Sequence, residues 1–212
     1  MYTIKEIYYT LQGEGRHVGR PAVFLRFSGC NLWNGREEDR GKAICQFCDT
    51  DFVGTDGPKG NKFKDSTSLS EAVEQVWIDG VGTDDNRFVV CTGGEPLLQL
   101  DSKAIEALHH KGFTVAVETN GTVPPPDGID WTCVSPKAGS DLFVTKGDEL
   151  KLIFPQAGID PTQFENLRFD HFSLQPMDGP HLAANTAKAI AYSLNNPKWT
   201  LSLQTHKILG ID

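Results

Sequence analysis

Short apolar runs rich in β-branched residues recur along the chain, and turn residues separate them, so they predict β-strands. We predict seven strands, at residues 22–27, 87–91, 113–118, 131–135, 150–154, 171–174 and 199–203. Between several of these strands the apolar residues follow the spacing of a helix. The predicted helices cover residues 69–78 with Ser68 as the cap, 96–110 ended by Gly112, 161–167, and 181–194.

The predicted strands and helices alternate, which is typical of βα units built on a mainly parallel sheet. In such folds the catalytic groups lie at the C-terminal ends of the strands. Two connections are poor in helical pattern, residues 120–128 with three consecutive prolines and residues 136–146 with little apolar periodicity. Some crossover helices are therefore missing from the predicted fold.

The length of the chain limits how complete the barrel is. A full eight-stranded βα barrel takes about 250 residues, whereas this chain has 212. We therefore predict an α/β fold in the form of a shortened, open barrel with mainly parallel strands. The whole chain, residues 1–212, forms a single domain in this prediction, and residues 49–67 form an insertion loop.

The composition narrows the class of protein. Hydrophobic residues make up 39% and charged residues 23% of the chain, and no apolar stretch approaches the roughly 18 residues of a membrane span. The first residues lack a basic start followed by an apolar core, so we expect a cytoplasmic protein. The formal net charge of -8 disfavours a surface that tracks the phosphates of a nucleic acid.

Five cysteines are present, an odd number that in a reducing compartment indicates metal binding or catalysis rather than disulfides. Cys30 follows a predicted strand, and after fourteen further residues Cys45 and Cys48 form a Cys-x2-Cys pair. A structural zinc site needs four protein ligands, but Cys91 and Cys133 lie in separate strands, where we expect buried small hydrophobes. Three thiolates instead suit a [4Fe–4S] cluster with one iron open to another ligand.

A second motif lies where a predicted strand ends and a predicted helix begins: Cys91-Thr92-Gly93-Gly94-Glu95-Pro96. Its glycines let the backbone turn sharply and approach a ligand closely, and its proline suits the first turn of a helix. Together with three cysteines after an earlier strand, this turn resembles the radical S-adenosylmethionine superfamily. The resemblance implies that the Gly-Gly-Glu turn holds the methionine amino group of the cofactor.

Seven blocks narrow the resemblance, and they run in order from residue 11 to residue 207. They are Leu11-Gln12-Gly13-Glu14-Gly15, Phe24-Leu25-Arg26-Phe27-Ser28-Gly29-Cys30-Asn31, Phe47-Cys48-Asp49-Thr50, Glu118-Thr119-Asn120-Gly121, Val134-Ser135-Pro136-Lys137, Leu174-Gln175-Pro176-Met177 and Gln204-Thr205-His206-Lys207. In these blocks the chain resembles the 7-carboxy-7-deazaguanine synthase family. The superfamily usually spaces its cysteines as Cys-x3-Cys-x2-Cys, and the resemblance extends to synthases with a longer first interval.

The resemblance implies a radical-mediated ring contraction of 6-carboxy-5,6,7,8-tetrahydropterin with loss of ammonia, an early step towards queuosine and other 7-deazapurines. It implies three cofactors, which are a [4Fe–4S] cluster, S-adenosylmethionine and Mg²⁺. It also implies an external one-electron reductant such as flavodoxin or ferredoxin. The family is dimeric, and apolar strand surface left uncovered by a shortened barrel also favours a two-fold homodimer.

The same resemblance assigns site residues. The implied ligands of the cluster are Cys30, Cys45 and Cys48, and the implied magnesium ligand is Thr50. The implied contacts of S-adenosylmethionine are Gly94, Glu95, Ser135, Lys137, Gln175, Pro176 and Met177. The implied substrate contacts are Leu11, Gln12, Gly13, Glu14, Arg26 and Thr92. The guanidinium of Arg26 suits a carboxylate, and the carboxylate of Glu14 suits two adjacent N–H groups.

Several of these residues have a simpler explanation when each is taken alone. Arg26 would serve as a salt-bridge partner, Thr50 would cap a turn, and Glu95 would be an acid favoured at the start of a helix. Trp33 in the long cysteine loop would either shield a cluster or only pack the loop.

Two other functions fit part of the chain. A radical S-adenosylmethionine activase acting on a partner protein would share the three cysteines and Gly94 with a synthase. It has no need of Thr50 or of the blocks at residues 12–14 and 204–207. A non-catalytic zinc-binding module would hold one zinc ion and no iron.

The cluster assignment predicts the effect of removing single cysteines. Anaerobically reconstituted protein should hold about one [4Fe–4S] cluster, and S-adenosylmethionine should perturb its spectrum, because three thiolates leave one iron open. Replacing Cys30, Cys45 or Cys48 with Ala should abolish the cluster, whereas Cys91→Ala and Cys133→Ala are controls that keep it. Iron and sulfide analysis measures this. A cluster that persists in Cys45→Ala would contradict the assignment of the three cysteines as its ligands.

Overall fold

Nine strands form one sheet in the computed structural model, which describes residues 1–81, 83 and 85–211. The strands are β1 Tyr2–Leu11, β2 Pro21–Phe27, β3 Asn61–Phe63, β4 Phe88–Gly93, β5 Thr114–Thr119, β6 Trp131–Val134, β7 Lys146–Phe154, β8 Arg168–Pro176 and β9 Trp199–Leu201. Their order across the sheet is β3-β1-β2-β4-β5-β6-β7-β8-β9.

The sheet is mainly parallel and open. Every neighbouring pair from β2 to β9 is parallel, whereas β1 is antiparallel to both β2 and β3. Strands β3 and β9 stand at the two ends of the order and are not paired with each other. The predicted fold class, an α/β shortened barrel, is therefore confirmed, and the single-domain organisation stays a prediction.

The prediction of seven strands is wrong in number because it misses β1 and β3. Strand β1 has Ile4 and Ile7 buried but carries polar residues between them, so it lacks the continuous apolar run of a parallel strand. Strand β3 has only three residues and lies inside the predicted insertion loop, where it pairs with the start of β1. Both missed strands belong to the antiparallel edge of the sheet.

Within the described residues, four α-helices accompany the sheet: α1 Ser66–Val81, α2 Ser102–His110, α3 Leu182–Asn195 and α4 Thr205–Leu209. The first two pack on β1, β2 and β5, and α3 packs on β8 and β9. Helix α4 was not predicted, because five residues at the end of the chain carry little helical pattern. Among the described residues, no helix has both the length and the apolar character to cross a membrane.

The predicted helix boundaries need correction at three places. Ser68 is not the cap of α1, because the helix begins at Ser66 and the Asp65 carboxylate accepts from the Ser68 N–H at 2.9 Å. The predicted helix 96–110 is interrupted: Pro96–Leu98 is a 3-10 turn, and the Asp101 carboxylate then caps α2. Residues 161–167 contain only a 3-10 turn at Pro161–Phe164.

Strand alternation gives each strand an outer and an inner face. Leu25, Cys91 and Val117 point outward into a core shared with α1 and α2. Leu150 and Leu152 do the same in a second core, which contains Trp199. On the inner side of the curved sheet, polar side chains gather at the C-terminal ends of the strands. Towards the N-terminal ends the inner side holds a small apolar cluster of Ala22, Phe88, Val90 and Ala116.

Candidate active site

A cavity of about 410 Å³ opens at the C-terminal ends of the parallel strands, where the fold predicts the chemistry. Most of the predicted site residues line it. They are Leu11, Gln12, Gly13, Glu14, Arg26, Cys30, Cys45, Cys48, Thr50, Thr92, Gly94, Ser135, Lys137, Gln175 and Pro176. Two predicted residues, Glu95 and Met177, lie behind the wall rather than in it.

The long loop between the first two cysteines is held by its own side chains. Arg40 donates from Nη1 to the carbonyl oxygens of Gln46 and Cys48, at 2.9 Å in both cases. Its guanidinium also lies 4.1 Å over the ring of Trp33, which meets Phe52 edge-on. Trp33 therefore packs the loop and at the same time lines the cavity beside the cysteines.

The three thiols differ in acidity. A hydrogen bond from the Cys45 thiol lowers the pKa of Cys48 to about 6, against the effect of burial. The same hydrogen bond and burial raise the pKa of Cys45. Burial also raises the pKa of Cys30, whose Sγ accepts from the Leu32 N–H at 3.4 Å. One cysteine of the pair is thus close to a thiolate at neutral pH, which is the form that binds metal.

The donor set fits a polynuclear cluster. In the part of the chain that the structure describes, no three His, Cys, Asp or Glu side chains converge as a single metal ion requires. The three cysteines nevertheless line one cavity and influence each other's charge. Three soft donors spread along one wall suit an iron–sulfur cluster better than one zinc ion.

Two glycines bring the cysteine segment against the turn after β4. A Cβ atom on Gly93 would overlap the backbone of Phe27, and one on Gly94 would overlap the carbonyl oxygen of Gly29. Gly93 also has a φ of 137°, which disfavours any other residue. The Glu95 N–H donates to the Gly29 carbonyl at 2.9 Å and closes the contact.

Glu95 supports this turn from behind. Its side chain is fully buried, and its carboxylate accepts from Leu97 N–H at 3.0 Å, from Thr119 Oγ1 at 2.8 Å and from Asn120 N–H at 2.8 Å. Burial raises the pKa of Glu95, and the three donors oppose that rise. The sequence-based expectation of a simple helix-start acid is partly right, because Leu97 N–H belongs to the 3-10 turn.

The residues predicted for the rest of the cofactor lie across the cavity from this turn. Lys137 Nζ donates to the carbonyl oxygen and to Oγ of Ser135, at 2.6 and 2.7 Å. Burial lowers the pKa of Lys137. Met177 is tied down through its backbone, which donates to Phe154 O and accepts from Asn185 Nδ2.

Arg26 already has partners inside the protein. Its Nε donates to Glu6 Oε1 at 2.7 Å, and its Nη2 donates to the Tyr8 hydroxyl at 2.9 Å. The simpler explanation of Arg26, that it is a salt-bridge partner within the protein, is therefore confirmed. Arg26 and both partners also line the cavity, so the guanidinium is held at the surface that a ligand would meet.

A buried charged network forms the floor of the cavity. Lys151 Nζ donates to Glu14 Oε2 at 2.5 Å and to Glu118 Oε2 at 3.2 Å. Gln12 Nε2 donates to the other oxygen of Glu118, and Gln12 Oε1 accepts from the Glu14 N–H. Burial alone would raise the pKa of Glu14, but Lys151 and the amide of Gln204 outweigh it and lower that pKa to about 2.

The sequence is similar to named enzymes over its whole length. It is 60% identical over 210 residues to a 7-carboxy-7-deazaguanine synthase of Caulobacter vibrioides, and 59% identical to one of Bradyrhizobium diazoefficiens. Each match covers 99% of both chains. The chain belongs to the 7-carboxy-7-deazaguanine synthase family. The resemblance stated from the sequence motifs is confirmed.

A solved structure of the same family supports the fold. The crystal structure of QueE from Escherichia coli has a TM-score of 0.63 and 26% identity, and the match covers 95% of this chain and 93% of that one. No family model matches the chain. Membership of a synthase family favours a radical S-adenosylmethionine lyase over the activase and the zinc-binding module.

Sequence reasoning missed the lysine at the centre of this synthase's cavity floor. Lys151 lies in the predicted strand 150–154, and its position between Leu150 and Leu152 could have indicated a functional residue. It is buried and points inward, while both leucines point into the outer core. A charged residue at an inner position of a buried strand is costly unless it has partners, so its position alone indicates a site.

The C-terminal block closes the cavity, as its resemblance to the closing segment of the synthase family implies. Thr205 donates from its backbone and from its hydroxyl to the Gly13 carbonyl, at 2.9 Å each. Lys207 Nζ reaches Asp49 at 2.5 Å and Asp178 at 2.6 Å. The segment thereby joins the start of the chain, the cysteine loop and the end of β8 around one opening.

The position of Glu95 predicts a loss of stability that does not depend on the cofactor. Glu95→Gln replaces one acceptor oxygen by an amide donor, so at least one of the three buried donors loses its partner. We expect the free energy of unfolding to fall by about 1–3 kcal/mol. Urea denaturation without S-adenosylmethionine measures it, and Glu106→Gln on the exposed side of α2 is the matched control. An unchanged midpoint in both variants would contradict the supporting role.

Proposed function

We propose that this chain converts 6-carboxy-5,6,7,8-tetrahydropterin to 7-carboxy-7-deazaguanine with loss of ammonia, in queuosine biosynthesis. One observation carries the proposal. Three cysteines, the glycine turn and a buried acid–lysine network line the same cavity, in a chain that is 59–60% identical to named synthases. Substrate and product differ by one molecule of ammonia, so the conversion needs no net oxidation.

In this proposal Cys30, Cys45 and Cys48 hold the [4Fe–4S] cluster. When bound, the cluster and S-adenosylmethionine supply the radical that removes a hydrogen atom from the substrate. The lowered pKa of Cys48 favours metal binding by that thiol. Arg40 fixes the backbone of the Cys-x2-Cys segment itself through the carbonyls of Gln46 and Cys48.

The protein positions S-adenosylmethionine through the turn after β4 and through residues across the cavity. The backbone of Gly94 can approach the methionine end because it carries no side chain, and Glu95 keeps that backbone in place. Ser135, Lys137, Gln175, Pro176 and Met177 are proposed contacts of the remaining part of the cofactor. Lys137, whose ammonium is buried, suits the cofactor carboxylate.

The chain's own residues bind and orient the substrate. We propose that Arg26 pairs with the pterin carboxylate, while Gln12 and Glu14 meet the guanine-like edge of the ring. Leu11, Gly13 and Thr92 complete the proposed substrate contacts. Each carboxylate oxygen has two lone pairs, so Glu14 can accept a substrate N–H beside the donors it already has. The close fit of α4 over Gly13 excludes water from this end.

Thr50 is the proposed magnesium ligand. It lines the cavity two residues after Cys48, and a hydroxyl oxygen is a suitable ligand for a hard cation when substrate carboxylate and water complete the shell. An external one-electron reductant such as flavodoxin or ferredoxin is the proposed partner. A two-fold homodimer in the cytoplasm is the proposed state of the enzyme, and exposed Leu194, Ile208 and Leu209 are apolar surface that a second subunit would cover.

Turnover of the pterin tests the proposed function and the magnesium site together. Reconstituted protein with S-adenosylmethionine and a chemical reductant should form 7-carboxy-7-deazaguanine and ammonia in equal amounts. Magnesium should stimulate the parent, whereas Thr50→Ala should turn over more slowly and lose that stimulation with its iron content unchanged. Failure of the parent to form product under these conditions would rule out the function. Equal magnesium dependence in both proteins would remove Thr50 from the site.

Arg26 variants test how the substrate carboxylate is recognised. Arg26→Ala should weaken the carboxylated pterin by roughly 2–5 kcal/mol, because a buried carboxylate then loses its partner. Arg26→Lys keeps the charge but loses the planar fork, so it should also impair binding. Calorimetry on cluster-loaded protein with S-adenosylmethionine measures both. An analogue without the carboxylate is the control. If Arg26→Ala weakens the binding of both ligands equally, Arg26 does not bind the carboxylate, and Lys207 becomes the next candidate for that contact.

A further inference from the structure

Lys151 stands at the centre of the cavity floor, and neither the cluster, the cofactor nor the substrate carboxylate accounts for it. Its side chain is 4% exposed, and it is in contact with two carboxylates, Glu14 and Glu118. A buried ammonium is stable only where the attraction of its partners exceeds the cost of removing the ammonium from water. The lysine therefore acts through its two carboxylate partners.

The network has one more negative charge than positive charge. Glu14 and Glu118 supply two carboxylates, and Lys151 supplies one ammonium. The amides of Gln12 and Gln204 donate one further hydrogen bond to each carboxylate. Two carboxylates offer about eight lone-pair positions, whereas these partners occupy four. The floor therefore presents acceptors and an excess negative charge to the cavity.

We propose that Lys151 is a positioning residue that keeps Glu14 and Glu118 both ionised, so that the floor selects the donor edge of the pterin ring. This inference rests on the proposed function and deepens it. A pterin presents an amide N–H and an exocyclic amino group side by side, and only acceptors match that edge. Lys151 lines the cavity between the two carboxylates, and in this proposal it acts on the ring through them.

The hydrogen-bond geometry accounts for selectivity against oxo analogues. A 2-oxo analogue of the ring replaces the amino donor with an oxygen acceptor, which would face an ionised carboxylate. An unpaired buried acceptor is costly, so a site built to accept N–H groups rejects a ligand that lacks one. A protonated carboxyl group would instead donate to that oxygen. The selectivity therefore depends on the charge that Lys151 maintains.

Removal of the lysine changes the charge in a predictable direction. Without an ammonium between them, the two partly buried carboxylates repel each other, so the pKa of one of them rises. Below that raised pKa the floor holds a proton that substrate binding must expel. The other titratable or charged groups that face the network are His17, Cys133, Lys137, Glu149 and His206, with Arg26 and Asp49 at the cavity wall.

The decisive experiment compares Kd across pH in the absence of reductant. Lys151→Met keeps the length of the side chain and removes its charge. We measure calorimetric binding of the carboxylated tetrahydropterin to cluster-loaded protein with S-adenosylmethionine between pH 6 and 9. The ratio of variant Kd to parent Kd is the readout, because the ionisation of the free substrate is common to both proteins and cancels. No turnover is needed for this measurement.

The ratio should rise towards acid pH, by up to tenfold for each pH unit below the raised pKa, since one proton is expelled on binding. The variant should also bind the 2-oxo analogue at least tenfold better relative to the pterin than the parent does at pH 6. Adding Glu118→Gln to Lys151→Met restores the single net negative charge of the parent and removes the repulsion between the carboxylates, so the pH dependence of the ratio should be weaker than in Lys151→Met, because only burial then raises the pKa of Glu14. Lys151→Arg should retain most of the parent's pH profile.

Lys146→Met is the matched control, because Lys146 lies on the same strand and is exposed. The ratio of its Kd to the parent Kd should not change with pH. If the ratio for Lys151→Met is also independent of pH, with weaker binding at every pH, the lysine only supports the fold and the inference is overturned. The inference is also overturned if the Kd ratio of the double variant depends on pH as strongly as that of Lys151→Met. A parent that does not bind the pterin overturns the proposed function, and this inference with it.

One further variant covers the case in which Lys151→Met does not fold. Glu118→Gln alone leaves Lys151 paired with Glu14, so the buried charge is balanced. It should lower the parent's preference for the pterin over its 2-oxo analogue at least fivefold, because one acceptor of the floor becomes a donor. A variant that keeps the full preference would overturn the assignment of Glu118 to the acceptor edge.

Discussion

The backbones of β2 and β4 run so close together where they end that neither Gly93 nor Gly94 has room for a side chain. This contact joins the segment that leads to Cys30 with the turn proposed to hold the cofactor. Glu95 extends the connection to β5 through Thr119 and Asn120. Three strand ends are thus fastened to each other, two by close backbone contact and the third by the Glu95 carboxylate. Radical chemistry needs reacting atoms at fixed separations, and such contacts set them.

The inner face of the open barrel explains why the cavity is charged. Alternation along each strand directs one set of its residues to the helices and the other set inward. In a closed barrel the inner positions would be filled by layers of apolar side chains. Here an apolar cluster fills only the N-terminal part of the interior, whereas Glu118 and Lys151 occupy inner positions nearer the C-terminal ends, where Lys151 pairs with Glu118 and with Glu14. The charged part of the interior is therefore the part that faces the cavity.

The sequence predicts those parts of the molecule that depend on residues close together along the chain. Apolar runs predict the parallel strands, and the cysteine and Gly-Gly-Glu motifs identify most of the cavity wall. It misses β1, because a strand with one polar face has no apolar run, and it misreads residues 96–110, because the cap at Asp101 interrupts the helical pattern. The partners of Glu95 in the segment at Thr119 and Asn120, and those of Lys151, could not be predicted from the sequence, since these contacts join residues at least 24 positions apart.

The two sides of the cavity differ in how firmly they are held. The floor consists of buried ion pairs, and separating such a pair costs about 3–5 kcal/mol. The C-terminal rim consists of α4, five residues long and too short to be stable alone, with Lys207 reaching two partly exposed aspartates. Exposed pairs of this kind contribute about 0–1 kcal/mol each. The ion pairs of the rim are therefore weaker than those of the floor, and the rim is fastened to the floor through the hydrogen bond from Gln204 to Glu14.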